Sequence, residues 1–470
     1  MAQPPELFLG DPSLPWVRRY NPASNPGVIV PLNRSDTVNL RSVNILAVVE
    51  QTAFFAAYIM MGVYLVEVAG FDDVGAGWVA GAFGMALCLL PSMAGAVADR
   101  IGFRSSLVGA YVLQSAGFGI LSIARSPWPA IAGLAIVAVG GATTRSILMG
   151  TVGRTEPSSR TRAYSVMMQA INLGCFLGKL VARPLRLDLG VVSVEAFAAG
   201  MFLVAAMLAW VTFGVRTDPE RPVSDGLVKT FRDMWRVLGN WRFLGMVVQV
   251  GLFWAVQGQM YVTMPRYTLR LAGANASPEW YAVVNPLVVV LLILPLNHLT
   301  RGWSTSRILR VSYGTLAVAT LIMGTGPLLV THFGGPWHLA GFEVSPMPVA
   351  MITGCAMSGL AECFLIPHFL DRVAALAPPG QAALYQGYGY LTGLVSNLVG
   401  WGLSGYLIDL WCPDPALVPD ATMALSHAAA GMGPWPKPWS DAPLIFGVWA
   451  VVAILAVVIL PGWNSSKQPV

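Results

Sequence analysis

The sequence predicts an all-α membrane protein, with twelve transmembrane helices arranged in two six-helix bundles. Three observations carry this. The 470 residues are 55% hydrophobic and only 11% charged, where soluble domains run near 25% charged. The apolar residues gather into twelve long segments, and a spanning helix needs about 20 apolar residues. The basic residues are sorted between alternate loops. A water-soluble enzyme, a disordered chain and a disulfide-stapled secreted domain are all excluded by the first observation.

The segments fall at 43–66, 76–97, 105–124, 128–152, 163–184, 194–215, 243–265, 279–299, 308–331, 346–370, 383–409 and 443–462. Runs this long, without strand-type alternation, satisfy their backbones in lipid only as helices. Residues 1–42 lack a central apolar stretch and do not read as a signal peptide; they form a cytoplasmic tail. The first bundle covers 43–215 and the second 243–463, with a short tail at 464–470. Between the bundles lies a linker, 216–242. There Leu227, Val228, Phe231, Met234, Trp235 and Leu238 share one helical face and Lys229, Arg232, Asp233 and Arg236 the other. That pattern suits an amphipathic helix lying on the cytoplasmic leaflet. The Pro-rich stretch 411–441 is expected to be weakly ordered and extracytoplasmic.

Orientation follows from Lys and Arg in the loops. With the N-terminus inside, the inner loops and tails hold 20 basic residues. The outer loops hold 6: Arg125, Arg183, Arg186, Arg266, Arg270 and Lys437. This places both termini in the cytoplasm of a multi-pass protein of the cell (inner) membrane. It also accounts for the net charge of +5 without nucleic acid. The 5 Cys show no CxxC spacing, so no disulfide or zinc framework is expected. Neither a catalytic constellation, a metal-ligand spacing nor a phosphate loop is legible; no enzyme activity and no cofactor are expected.

Few ionisable residues sit inside the segments: Glu50, Arg145, Lys179 and Glu362. Each costs a few kcal/mol at mid-membrane, so such residues face the protein interior or a water-filled cavity. Lys179, near the outer end of its segment, is expected to snorkel to the interface. Arg145 and Glu362 lie on different bundles. Opposite charges across a cavity suit a zwitterion or a solute with one anionic end. Without substrate they would attract one another and favour closure.

Between the second and third segments stands Gly95-Ala-Val-Ala-Asp99-Arg100-Ile-Gly102-Phe-Arg104. Gly95 allows close helix approach, Asp99 can pair with a neighbouring helix end, Gly102 permits a tight turn, and Arg100 and Arg104 anchor at headgroups. The stretch resembles the G-x-x-x-D-R-x-G-x-R gating loop of the major facilitator superfamily. Thr300-Arg-Gly302-Trp is a worn echo of it in the second half, as an internal repeat would leave. In that fold segments 1, 4, 7 and 10 line the central cavity, which places Glu50, Arg145 and Glu362 on cavity helices.

Four further stretches resemble the proton-dependent oligopeptide transporter family. Gly140-Gly-Ala-Thr-Thr-Arg145 is similar to its G-x-G-x-x-K-P stretch, with Arg145 in place of the cavity lysine. Tyr164 to Gly174 is similar to F-S-x-x-Y-x-x-I-N-x-G, with Met168 at the tyrosine and Asn172 retained. Phe253-Trp254 to Gln259 is similar to F-W-x-x-x-x-Q, and Ala361-Glu362 to Pro367 to G-E-x-x-x-S-P. The first-segment motif E-x-x-E-R is nearly erased: Ala47 and Gln51 stand at two of its charges and Glu50 alone remains.

The resemblance implies secondary active uptake of di- and tripeptides driven by protons, while the charges read by themselves suit a small zwitterionic or anionic solute, peptide-like or amino-acid-like, moved by alternating access. The expected substrate contacts are Arg145, Glu362 and Glu50, with Gln259, Tyr261, Trp254, Asn172 and Tyr388 as polar or aromatic walls. Proton coupling is assigned to Glu50 or Glu362, because burial disfavours the charged form of a carboxylate. The expected partners are that small-molecule substrate, protons and the lipid bilayer, and the protein is expected to be a monomer. Two alternatives remain open: an exporter of drugs or metabolites on the same fold, and a non-transporting membrane receptor.

Overall fold

The computed structural model describes residues 34–91, 94, 101–153, 157–213, 241–300, 302–335, 337–339, 342–376 and 389–458. The gating residues Gly95, Asp99 and Arg100, the linker helix, Tyr388, residues 1–33 and the C-terminal tail lie outside them; residues 34–42, expected as tail, are part of the first helix.

The first half contains α1 (Arg34–Glu67), α2 (Asp73–Leu89), α3 (Phe103–Ile123), α4 (Pro127–Gly153), α5 (Pro157–Leu189) and α6 (Val191–Thr212). Asp72 caps α2 by accepting from the Gly75 N–H at 3.0 Å, satisfying one of the donors a helix start leaves open. Gly102, at φ 97°, makes the turn into α3 that a residue with a Cβ would resist.

The second half opens with a broken helix: α7 (Trp241–Gln257), α8 (Gln259–Val262) and α9 (Met264–Ala272). Pro265 occupies the first turn of α9, where its missing N–H costs nothing. Then follow α10 (Pro278–Tyr281), α11 (Val284–Thr300), α12 (Thr305–Gly324), α13 (Gly326–Phe333) and α14 (Pro346–Leu376). The last elements are α15 (Thr392–Trp411), α16 (Ala421–Ala429) and α17 (Pro443–Val458). Between α13 and α14 a small antiparallel hairpin pairs β1 (Trp337–Leu339) with β2 (Phe342–Val344), Trp337 opposite Val344.

Each of the twelve apolar segments carries helix. Among the described residues, 8 helical runs are long and apolar enough to cross a membrane, and 9 if α12 and α13, bent by 49°, form one span. The other three segments correspond to α2, α5 and α15. The described part of α2 is 17 residues long. In α5 the apolar character is diluted by Lys179, Arg183, Arg186 and Asp188.

Two hydrophobic cores coincide with the two halves. One joins Val43, Tyr64, Tyr111 and Phe202 of the first half, with Trp401 reaching in from the second. The other joins Phe253, Tyr267, Tyr313 and Trp449 of the second, with Ile59 and Met60 reaching in from the first. Side chains turned away from both are apolar as well, such as Met207 and Leu294, each 70% exposed. Lipid rather than water suits that surface.

The 411–441 stretch is folded, contrary to the sequence expectation. Leu425 and Trp439 are buried. The Trp439 indole donates to the Pro413 carbonyl at 3.0 Å, and that of Trp435 to Pro327 at 3.1 Å. These two donors tie the loop to itself and to α13, and proline stiffness does the rest.

Candidate functional site

Glu50, on α1, is buried, at 6% exposure. Its carboxylate accepts from Tyr111 of α3 at 2.9 Å and from Thr144 of α4 at 3.0 Å. Arg145, half-buried, acts electrostatically on Glu50, Tyr58 and Cys88. These charges therefore form a cluster within the first half.

Glu362, on α14, accepts from the Gln257 amide at the end of α7, 3.1 Å away, and Asn285 of α11 is beside it. The cation that acts on it is Lys179. The sequence reading set Arg145 against Glu362; the structure sets Lys179 there instead and gives Arg145 to Glu50. Lys179 does not snorkel. It is 0% exposed, and its ammonium donates to the Tyr261 hydroxyl at 2.9 Å and the Ala282 carbonyl at 3.1 Å. The ammonium lies 4.7 Å from the Tyr261 ring centroid and 5.7 Å from that of Phe55. A buried ammonium needs such acceptors to offset lost hydration.

Around this point α1 sets out Phe54, Phe55 and Tyr58, all half-buried. Tyr58 lies 5.5 Å from Tyr261 and 6.0 Å from Trp401 between ring centroids, and Phe55 lies 5.8 Å from Tyr261. These rings come from both halves and form an aromatic wall along their seam.

Other expected residues are placed differently. Gln259 is 0% exposed. Its amide donates to Ala255 and Gly400 carbonyls, and its oxygen accepts from Thr263 at 2.5 Å. It satisfies the backbone where the seventh span breaks, so it lines no opening. Asn172 donates to Met168 of its own helix at 2.9 Å. Trp254 is half-buried and edge-on to Phe253. Arg104 donates to the Trp210 carbonyl and stacks on its ring, which anchors the start of α3 to the end of α6.

Four of the six cations assigned to outer loops are not loop charges. Arg266 and Arg270 of α9 both pair with Asp73 of α2, at 2.7 and 2.8 Å. Arg270 also donates to the Cys412 carbonyl at 2.7 Å. Arg186 of α5 pairs with Glu279 of α10 at 2.5 Å and donates to the carbonyls of Ala274 and Ala276. Arg183 bonds Ser277 and covers the Trp280 ring. Among the described residues, every ion pair between the halves lies at this one end, which the loop charges assign to the outside. Lys179, Arg183 and Arg186 follow at i, i+4 and i+7, one helix face. That spacing of cations across the end of an apolar segment is the signal the sequence reading passed over.

The Major Facilitator Superfamily family model matches residues 43–400. Multidrug resistance protein MdtH of Yersinia pestis is 27% identical over 352 residues, 71% of this chain and 79% of that protein. The MdtH of Yersinia pseudotuberculosis matches to the same extent. Among solved structures, a bacterial homologue of the human drug peptide transporters PepT1 and PepT2 has a TM-score of 0.66 at 16% identity. That match covers 91% of this chain and 97% of the other. The nucleoside transporter NupG gives 0.67 at 13% identity, covering 90% and 98%. At such identities the structures speak for the fold alone.

Proposed function

This chain belongs to the major facilitator superfamily, and on that premise we propose that it moves a small zwitterionic or anionic organic solute across the cell (inner) membrane, coupled to protons. The observation that carries this reading is the hydrogen bond from Lys179, of one half, to Tyr261, of the other, within the field of Glu362. A solute carboxylate takes the ammonium from Tyr261, and a solute amine or hydroxyl takes Glu362. Filling the site thereby removes a tie between the halves, and binding biases their rocking. With the loop-charge orientation, the closed ion pairs at the outer end support loading from the inner side. A proton on Glu362 weakens its hold on Lys179, which is how the two fluxes become linked.

The aromatic wall favours a second reading, an exporter of flat apolar compounds carrying a charge. The names of the MdtH relatives agree with it. A thermal-shift screen of the purified protein against peptides, amino acids, organic anions and aromatic cations separates the two, since a ligand raises stability by mass action. Hits among zwitterions that survive Phe55→Ala but vanish in Lys179→Met support the first reading. Hits with the reverse dependence overturn it in favour of the second.

A further inference from the structure

The turn at residues 302–304, between α11 and α12, answers in the second half to the Gly102–Arg104 turn of the first. In each half an arginine near the start of the third helix lies over a tryptophan: Arg104 at 4.6 Å from Trp210, Arg307 at 4.3 Å from Trp303. They differ in what the guanidinium does next. That of Arg104 is engaged within its half by the Trp210 carbonyl. That of Arg307 is exposed and donates to none of the described residues.

Trp303 is itself held from the other side. Its ring stacks on Phe364 of α14, centroids 6.1 Å apart and planes 11° from parallel. The ring on which the guanidinium rests is therefore held in place. Arg310, one turn on along the same face, is exposed and has only its Nε engaged, by the Ser306 carbonyl at 3.3 Å. No Asp or Glu occurs in the sequence between Glu279 and Glu343. Immediately before the turn, Leu294 and Leu299 are 70% and 68% exposed, an apolar flank turned to lipid.

We propose that this turn binds the headgroup of an anionic phospholipid, with the phosphate on Arg307 and Arg310 and an acyl chain along Leu294 and Leu299. The apolar flank selects lipid over a free anion. Juxtamembrane cations attract anionic leaflets in any case, but a guanidinium resting on a held ring adds a defined place. Phe364, beneath Trp303, is on the same turn of α14 as Glu362. An occupied headgroup site therefore steadies the turn that carries the central carboxylate.

The test needs no transport substrate. The full-length protein in detergent is titrated with phosphatidylglycerol, with phosphatidylcholine of the same chains, and with inorganic phosphate. Unfolding temperature and lipid retained in native mass spectrometry are read. Phosphatidylglycerol is expected to be retained and to raise the unfolding temperature; the other two are expected to do neither. Arg307→Gln with Arg310→Gln weakens its binding about fivefold for each arginine removed. Trp303→Leu weakens it too, although both charges remain. Equal retention by the double arginine variant overturns the proposal, as does an equal shift from phosphate or phosphatidylcholine. Arg310→Gln alone, outside the stack, carries the test if the double variant does not fold.

Discussion

Lys179 and Tyr261 meet across the seam, the ammonium of one half donating at 2.9 Å to the phenol of the other. The lysine has no access to solvent, so its charge is answered by the Tyr261 hydroxyl, the Ala282 carbonyl, the rings of Tyr261 and Phe55, Cys175 and the field of Glu362. In a solute carrier such a cation serves better than a fixed structural pair, because its partners are neutral acceptors that an anion can displace.

Lys179→Met leaves Glu362 without its cation, and Glu362→Gln leaves Lys179 without its anion. Leaving one charge in the interior without the field of the other is destabilising, whereas removing both is often neutral. The double variant is therefore expected to be more stable than Lys179→Met alone. Transport is expected to be lost in all three. Thermal unfolding and uptake into vesicles give the two readouts. Normal uptake by the double variant would falsify the assignment of the central site.

Asp73 is the shared counter-charge of two arginines, and Arg266 is only 2% exposed. Asp73→Asn strands them and is expected to lower stability by about 3–5 kcal/mol. It should also raise hydrogen exchange across residues 264–272 as the outer end loosens. The Lys437–Asp441 pair is the control. Lys437 is 75% exposed there, and exposed pairs contribute about 0–1 kcal/mol. Asp441→Asn should leave unfolding unchanged; a loss equal to that of Asp73→Asn would remove the special role of the α2–α9 clamp.

Segment length and loop charge were enough to read the helical membrane fold, because bilayer thickness and backbone satisfaction allow few alternatives. The charges inside the membrane were legible one by one, since each is costly. Their pairing was not. Arg145 and Glu362 stand at matching places in the two halves, yet Thr144 and Tyr111 hold Glu50 beside Arg145, and Lys179 is left for Glu362. Which cation faces which anion depends on helix rotation, and a helix that is apolar all round gives no moment to fix it. The arginines of α9 were misread for a related reason. An arginine at a segment end looks like a loop charge unless Asp73, nearly 200 residues away in sequence, is known to be its neighbour.

α2 and α15 approach closely enough that added methyl groups are expected to differ in cost. A Cβ at Gly77 would lie 2.6 Å from the Trp401 carbonyl oxygen and 3.3 Å from the Gly405 Cα, backbone that cannot give way. A Cβ at Gly84 meets instead the end of the Asn397 side chain, which can rotate. Gly77→Ala is expected to cost about 1–3 kcal/mol by overpacking, and Gly84→Ala less. Asn397→Ala should offset the second and not the first. Equal losses at both glycines would mean the helices separate freely along this stripe.

Glu50 is held by two hydroxyls of its own half, which makes its charge state open to measurement. The Tyr111 hydroxyl donates to Glu50 at 2.9 Å, while the Tyr64 hydroxyl, on the next turns of α1, donates to the neutral Leu121 carbonyl at 2.7 Å. Hydrogen bonds to a charged acceptor contribute about 1.5–3 kcal/mol and those to a neutral one about 0.5–1.5. Both phenols are buried to the same degree, so removing either hydroxyl costs similar packing. If Glu50 is ionised at rest, Tyr111→Phe is expected to destabilise the protein more than Tyr64→Phe. Loss of the Arg145 charge, in Arg145→Gln, should then narrow the gap between the two phenylalanine variants. If the gap is absent from the start, Glu50 already carries a proton at rest, and Glu50 rather than Glu362 becomes the carrier in the proposed proton coupling.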